Sequence, residues 1–551
     1  MEAPSHQIPA ESTYCDETTP ADNNRLEQAY VNQRLEEIEN SRLGWTQIRA
    51  CLVAGAGFFT DAYDLFIINI ASTMIAYTYY NQPTLPKDWD LGVKVSTSVG
   101  TLIGQLFFGW AGDRFGRKRI YGLELMLIIV GTFGSALSAS AVHGFSVLTT
   151  LVIMRFIVGL GVGGDYPLSA VITAEYSSAR HRGALTSAVF AMQGFGILAS
   201  AFVSAIMVVA FKSAIQNDVQ NLDLAWRLCL GIGAIPAIIT IYYRLTMKET
   251  PRYEMDQARA QALQQAELDL KKQHRALPAG GGSATSVDEP TKGATDFHGD
   301  LTGEKVTTVA TADGPTPNST RGYWVDFSRH YRQWKNFKIL FACSMCWFAL
   351  DVAFYGINLN NGVILNAIGY SSSDDPYENL HKATIGNIII NLMGTVPGYW
   401  FTVFTIDRIG RRVIQIGGFG ILTVLFIILG FAYQPILDTS VALFIVFFTL
   451  AQFFTNFGPN ATTFVYPSEV FPTRFRTTSH GISAASGKLG AIVAQAGFSQ
   501  LKDIGGPNAF INHIIQIFAL FMLIGFVFSF LLPETKRRTL EEITGEDQPD
   551  Q

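Results

Sequence analysis

Twelve stretches of the chain stay apolar for long enough to cross a bilayer, and no other feature restricts the fold as strongly. They run at roughly 46–79, 95–112, 120–141, 147–174, 184–211 and 226–246, then 337–368, 383–406, 413–433, 440–466, 479–501 and 510–532. Hydrocarbon offers the backbone no water to bond, so lipid-facing segments of ~20 apolar residues must close their hydrogen bonds internally as helices. The 551 residues are 48% hydrophobic and 15% charged, against about 25% charged for soluble domains. An all-α membrane protein of twelve transmembrane helices is expected, with the lipid bilayer as its first partner. The net charge of -5 is spread over short loops and points to no nucleic acid.

Composition divides the chain further. Residues 1–43 are polar and read as a disordered tail without a cleavable leader; 44–246 and 336–533 each hold six spans. Between them 247–335 is rich in Ala, Gly, Thr, Asp and Lys and reads as a flexible linker, and 534–551 is a short tail. Arginines follow the even-numbered spans: Arg114 and Arg117, Arg180 and Arg182, Arg408 and Arg411, Arg474 and Arg476. The positive-inside rule therefore places both termini and the linker in the cytoplasm. Cys343 and Cys346 lie one turn apart on an apolar helix and read as packing groups. No metal cluster, cofactor motif or Gly-Lys-Ser/Thr phosphate loop is visible, so neither a cofactor nor direct ATP drive is expected.

The two sets of six spans repeat each other. Gly104 to Asp113-Arg114-Phe115-Gly116-Arg117 recurs as Gly398 to Asp407-Arg408-Ile409-Gly410-Arg411. Glu175 with Arg180 and Arg182 recurs as Glu469 with Arg474 and Arg476, and both recurrences are offset by 294 residues. Glu249-Thr250 and Glu534-Thr535 extend the correspondence to the ends of spans 6 and 12. Duplicated halves around a central site are how alternating access is built. With both copies of its Asp-Arg-x-Gly-Arg loop, the chain resembles the major facilitator superfamily, and its sugar-porter-like branch in particular. That resemblance implies two pseudo-symmetric six-helix bundles. It also implies a cytoplasmic gate of Asp113, Arg114, Arg117, Glu175, Arg180 and Arg182 with Asp407, Arg408, Arg411, Glu469, Arg474 and Arg476, whose pairs hold in one conformation and release in the other.

Span 4 carries Gly161-Val162-Gly163-Gly164-Asp165-Tyr166-Pro167-Leu168-Ser169-Ala170. Glycines let backbones approach closely, whereas a carboxylate at membrane depth is costly without a partner and marks function. This stretch and Phe457-Gly458-Pro459-Asn460-Ala461-Thr462-Thr463-Phe464 in span 10 closely resemble the plant and fungal proton-coupled inorganic phosphate symporters; Val171 departs from the plant version, which has Thr. By that resemblance Tyr166, Gln193, Trp347, Asp351, Tyr355 and Asn460 would contact phosphate. Trp347, Asp351 and Tyr355 also share one face of span 7 by their spacing.

A carboxyl beside an anion is explained if it is protonated, because it then donates a hydrogen bond and each ligand promotes the other's binding. Asp351 is the expected coupling group. Asp61 and Asp64 lie one turn apart in span 1 and are not expected to ionise together; with Asp165 and Asp351 they form an expected proton pathway. Arg155, Lys488 and Glu124 are candidate charge partners for the span 1 pair, and Arg155 or Lys488 would alternatively draw an anion inward. The expectation is a high-affinity-type importer of inorganic phosphate, with arsenate as an analogue, and of protons at the plasma membrane; it is not an enzyme. The alternatives are a sugar or organic-solute proton symporter of the same superfamily, or a phosphate-binding nutrient sensor.

Overall fold

The computed structural model describes residues 44–140, 146–258, 320–371, 373 and 375–546. The expected tail at 1–43 and the central part of the expected linker lie outside the described residues. The chain divides into two units, one of 1–27 and 257–334 and one of 28–256 and 335–551. In the first, helix Thr320–Arg332 gathers Tyr323, Trp324, Phe327 and Tyr331 into one ring cluster.

The second unit carries the membrane helices. In order they are α1 (Trp45–Tyr80), α2 (Lys87–Phe115), α3 (Arg117–Ala136), α4 (Val147–Tyr176), α5 (Arg182–Ala210) and α6 (Val219–Leu245). Then come α7 (Trp334–Asn358), α8 (Pro376–Ile409), α9 (Arg411–Phe431), α10 (Val441–Glu469), α11 (Arg476–Leu501) and α12 (Ile511–Ser529). Among the described residues, eleven of these are long and apolar enough to cross a membrane. The twelfth, α11, has 26 residues but is diluted by Thr477, Thr478, Ser479, His480, Ser483 and Lys488, all buried against the protein. A helix that turns a polar face inward scores poorly on hydropathy and still spans.

Several boundaries differ from the sequence reading, spans 6 and 8 starting earlier at Val219 and Pro376, and at two others the local reason is visible. Span 7 was expected to run to 368, but α7 stops at Asn358 and a separate helix, Asn361–Ala367, follows. Asn358 and Asn360 turn their amides back onto Phe354 O (2.8 Å) and Gly356 O (2.9 Å), competing with the helix ladder. Span 2 begins earlier, at Lys87, with Asp88 and Asp90 in its first turn, where acidic groups favour the helix dipole.

Glycine packing sets the tight seams. A Cβ at Gly163 of α4 would run into the α2 backbone at Thr101 and Gln105, and one at Gly481 of α11 would strike Gln105 of α2. The glycines of span 4 thus keep their packing role, and the α2–α11 seam joins the two repeats directly.

Candidate functional site

Polar side chains from six helices converge midway through the bundle. Asn460 on α10 donates to the Tyr399 hydroxyl of α8 (2.6 Å), Tyr399 donates to Gln193 Oε1 of α5 (2.7 Å), and Gln193 Nε2 reaches the Tyr166 hydroxyl of α4 (3.3 Å). That chain crosses from the second repeat to the first. Beside it, Lys488 of α11 binds Asp351 Oδ2 (2.9 Å) and the Tyr355 hydroxyl (3.0 Å), both on α7, and sits 4.9 Å from the Tyr166 ring centroid. Phe58, Phe190, Phe464 and Trp347 pack their rings around Tyr166 at 5.0–6.4 Å. Every one of these groups is buried.

Local backbone features aim them. α10 breaks at Phe457-Gly458 and restarts at Pro459, so Asn460 stands in the first turn of an 11-residue half-helix, Pro459–Glu469. Discontinuous helices of this kind point their positive ends at anionic groups in transporters. On α8 a π-helical turn, Asn391–Thr395, shifts the register just before Tyr399. A Cβ at Gly487 would meet Trp347 and Asp351 Oδ2, so its absence lets α11 approach α7 closely enough for Lys488 to pair.

The first repeat holds a second buried group of charges. Arg244 of α6 binds Asp165 Oδ2 (2.5 Å) and Glu124 Oε1 (2.9 Å), and its guanidinium lies 4.4 Å from the Tyr121 ring centroid. Ser169 donates to Asp165. Asp61 adjoins Asp165, yet neither Asp61 oxygen has a hydrogen-bond partner. Asp64 accepts from Thr132 (2.7 Å), and Arg155 donates to the Asp64 backbone carbonyl (2.6 Å). Of the candidate partners, then, Arg155 reaches span 1 through a carbonyl and Glu124 shares Arg244 with Asp165. Lys488 pairs with Asp351 and not with span 1.

The arginine-rich end carries two related ion clusters. Arg117 binds Asp113 (3.4 Å) and Glu175 (3.2 Å), and Arg411 binds Asp407 (2.8 Å) and Glu469 (2.7 Å). Thr250 donates to Glu175 and Thr535 to Glu469, each at 2.5 Å. Gly116 and Gly410 take positive φ (95° and 105°), and a Cβ on either would run into Glu249 or Glu534; only glycine suits both demands. The clusters also tie the repeats together. Asp113 accepts from the Thr477 and Thr478 amides (3.1 and 2.8 Å), Glu175 from Arg476 (3.2 Å), and Asp407 from the Ala184 amide (2.8 Å). Arg182 donates to Arg538 O (3.1 Å). Arg180, Arg408 and Arg474 are exposed and Arg114 half-buried, at the margin of these clusters. At the opposite end Asn69 donates to Asn358 O (2.6 Å), Asn379 to the Tyr77 hydroxyl (2.9 Å) and Lys94 to Asn360 Oδ1 (3.1 Å). Contacts between the repeats therefore join them on both sides of the buried polar cluster.

The six residues expected to hold substrate lie together around Tyr399 and Lys488. Sequence reasoning did not single out Tyr399 or Arg244. Arg244 had a signal, a guanidinium inside an apolar segment, while Tyr399 had none beyond its place shortly before the second Asp-Arg-x-Gly-Arg loop.

Two repeats of membrane-crossing helices packed around a buried polar cluster are the architecture of a multi-pass membrane transporter. The sequence profile described as "Sugar (and other) transporter" matches residues 50–546. A repressible high-affinity phosphate permease of Neurospora crassa is 44% identical over 93% of this chain and 89% of its own length. An inorganic phosphate transporter of Saccharomyces cerevisiae is 41% identical over 92% and 86%, and a probable inorganic phosphate transporter of Oryza sativa subsp. japonica 39% identical over 94% and 95%. A solved proton:xylose symporter, XylE, shares the fold with a TM-score of 0.64 at 22% identity, covering 90% of this chain and 98% of that one. The chain belongs to the sugar (and other) transporter family of the major facilitator superfamily.

Proposed function

We propose that the protein imports inorganic phosphate together with protons, and that the buried polar cluster between the repeats is the phosphate site. The observation that carries this reading is the buried Lys488 cation, set among the Tyr166, Tyr355 and Tyr399 hydroxyls and the Gln193 and Asn460 amides. Such a set suits a tetrahedral oxyanion: one fixed positive charge, several neutral donors and an aromatic wall that excludes water. The relatives named as phosphate transporters support the same substrate.

Coupling follows from the Lys488–Asp351 pair. While Asp351 is ionised it neutralises Lys488, and an arriving anion meets a carboxylate. Once Asp351 takes a proton, Lys488 is free to face phosphate and the new O–H can donate to it. Proton and phosphate binding then favour each other, the thermodynamic content of symport. Asp61, Asp64 and Asp165 form the proton route in the first repeat. The bodies at 44–246 and 336–533 rock about this cluster, with the Asp113, Glu175, Asp407 and Glu469 ion pairs breaking as the arginine-rich end opens. That end faces the cytoplasm by the positive-inside rule, both termini lie there, and the membrane is the plasma membrane.

The test is labelled phosphate uptake into proteoliposomes under an imposed pH gradient, inside alkaline. Uptake should be competed by arsenate and not by glucose. A protein that binds phosphate without any flux would be a sensor and would refute the transport reading; competition by glucose would refute the substrate.

A further inference from the structure

The buried charges of the first repeat do not balance. Three carboxyl groups, Asp61 on α1, Glu124 on α3 and Asp165 on α4, share the neighbourhood of one guanidinium, Arg244 on α6. Arg244 gives one terminal nitrogen to Asp165 and the other to Glu124. Glu124 also accepts from the Gly122 amide (2.8 Å to each oxygen) and Asp165 from the Ser169 hydroxyl. Asp61 receives nothing: neither of its oxygens has a donor, and its carboxyl neighbour is Asp165. Oxygen facing oxygen becomes a hydrogen bond only when a proton lies between them. The space is reserved for this arrangement, since a Cβ at Gly57 would collide with Arg244 Nη2 and Asp165 Oδ2 together. The other charged or titratable groups packed here are Tyr121 of α3, under the guanidinium, Asp64 of α1, which has Thr132 and Arg155, and Tyr355 of α7, which lies within electrostatic reach of Asp61.

Resting on the symport reading above, we propose that Arg244 is a positioning residue for proton coupling. By holding Asp165 and Glu124 it leaves Asp61 as the carboxyl of the first-repeat route that takes up the proton and passes it on. The loaded Asp61 O–H donates to Asp165. When that proton leaves, two carboxylates and a third one partnered to the same arginine face a single positive charge, which makes the unloaded state receptive to the next proton. Arg244 touches neither phosphate nor the moving proton.

The test uses the full chain in proteoliposomes, with labelled phosphate uptake measured against external pH for wild type, Arg244→Gln, Arg244→Lys, Glu124→Gln and the double Arg244→Gln/Glu124→Gln. Removing the guanidinium makes the proton harder to release, so the pH of half-maximal uptake should rise by roughly one unit or more in Arg244→Gln. Removing a carboxylate from the same cluster should shift it the opposite way, so Glu124→Gln alone moves downward and the double variant returns toward wild type. Arg244→Lys, which keeps charge but not the two-pronged grip, should fall between wild type and Arg244→Gln. A merely structural arginine predicts something else: uptake reduced equally at every pH, with lost thermal stability that Glu124→Gln does not repair. That result overturns the proposal. If Arg244→Gln does not fold, unchanged pH profiles in Glu124→Gln and Arg244→Lys overturn it equally. Absence of phosphate flux in wild type would instead refute the transport reading, so the two failures are distinguishable.

Discussion

Replacing Glu175 with Gln removes the carboxylate that joins the repeats at the arginine-rich end. Glu175 is fully buried and pairs with Arg117 of its own repeat and Arg476 of the other, both at 3.2 Å. Breaking a buried pair by neutralising one partner costs about 3–5 kcal/mol. Part of that is recovered here: Arg117 keeps Asp113 and Thr473 O (2.9 Å), and Arg476 keeps Phe471 O (2.9 Å) and the Thr473 hydroxyl (3.1 Å). About 2 kcal/mol then remains against the closed form, which corresponds to roughly a thirtyfold rise in the open-to-closed ratio at about 1.4 kcal/mol per decade. Spin labels at positions 119 and 413, the exposed pair related by the 294-residue repeat offset, would report it by pulsed electron resonance distances. The long-distance population should grow in Glu175→Gln over wild type. Equal distance distributions in the two proteins would refute the latch, whatever happened to transport.

Three smaller perturbations probe other parts of the account. Tyr399→Phe removes the hydroxyl that links Asn460 to Gln193; losing a buried bridge costs about 1–3 kcal/mol, so the phosphate KM should rise about 5- to 150-fold with a smaller effect on folding, and an unchanged KM would place Tyr399 outside the site. Gly57→Ala drives a methyl into the Arg244–Asp165 contact and should lower Tm and uptake together, whereas a neutral outcome would mean that the cluster is not packed as described. Outside the membrane, burial pushes the Glu541 carboxyl up but the Arg252 guanidinium at 2.9 Å outweighs it, leaving Glu541 below the usual carboxylate range. Its stabilising contribution is therefore present at neutral pH and lost as pH falls through that depressed value. Glu541→Gln should reduce Tm at neutral pH and flatten the acid-side fall; an unaltered acid limb would count against the pair.

Much of this architecture can be read along the chain, because apolar runs and repeated loop motifs are local properties. The offset of 294 residues finds its physical counterpart in matched contacts, Arg117–Glu175 against Arg411–Glu469, and matched glycines at 116 and 410. Pairings across the bundle are not local. By sequence Lys488 is one of the candidate partners of the span 1 carboxylates or a charge that draws an anion inward, yet its partner Asp351 lies 137 positions away on α7 and is reached because Gly487 removes a side chain from the seam. Arg244 binds Asp165 across 79 positions, a distance at which spacing carries no information. Tyr399 depends on a π-helical turn that shifts the helix just before it. The end of span 7 was misplaced because Asn358 and Asn360 satisfy backbone carbonyls with their side chains, a competition that hydropathy does not register.

The account stands or falls on Asp351 as the group that makes proton and phosphate binding interdependent. The direct measurement is phosphate handling by wild type and Asp351→Asn in proteoliposomes, once under an imposed pH gradient and once as exchange at equal pH. Asparagine cannot be ionised, so Lys488 stays available to the anion whether or not a proton has arrived, and the two bindings no longer depend on each other. The prediction is exchange that persists and pH-driven accumulation that disappears. Accumulation at the wild-type level in Asp351→Asn would contradict it.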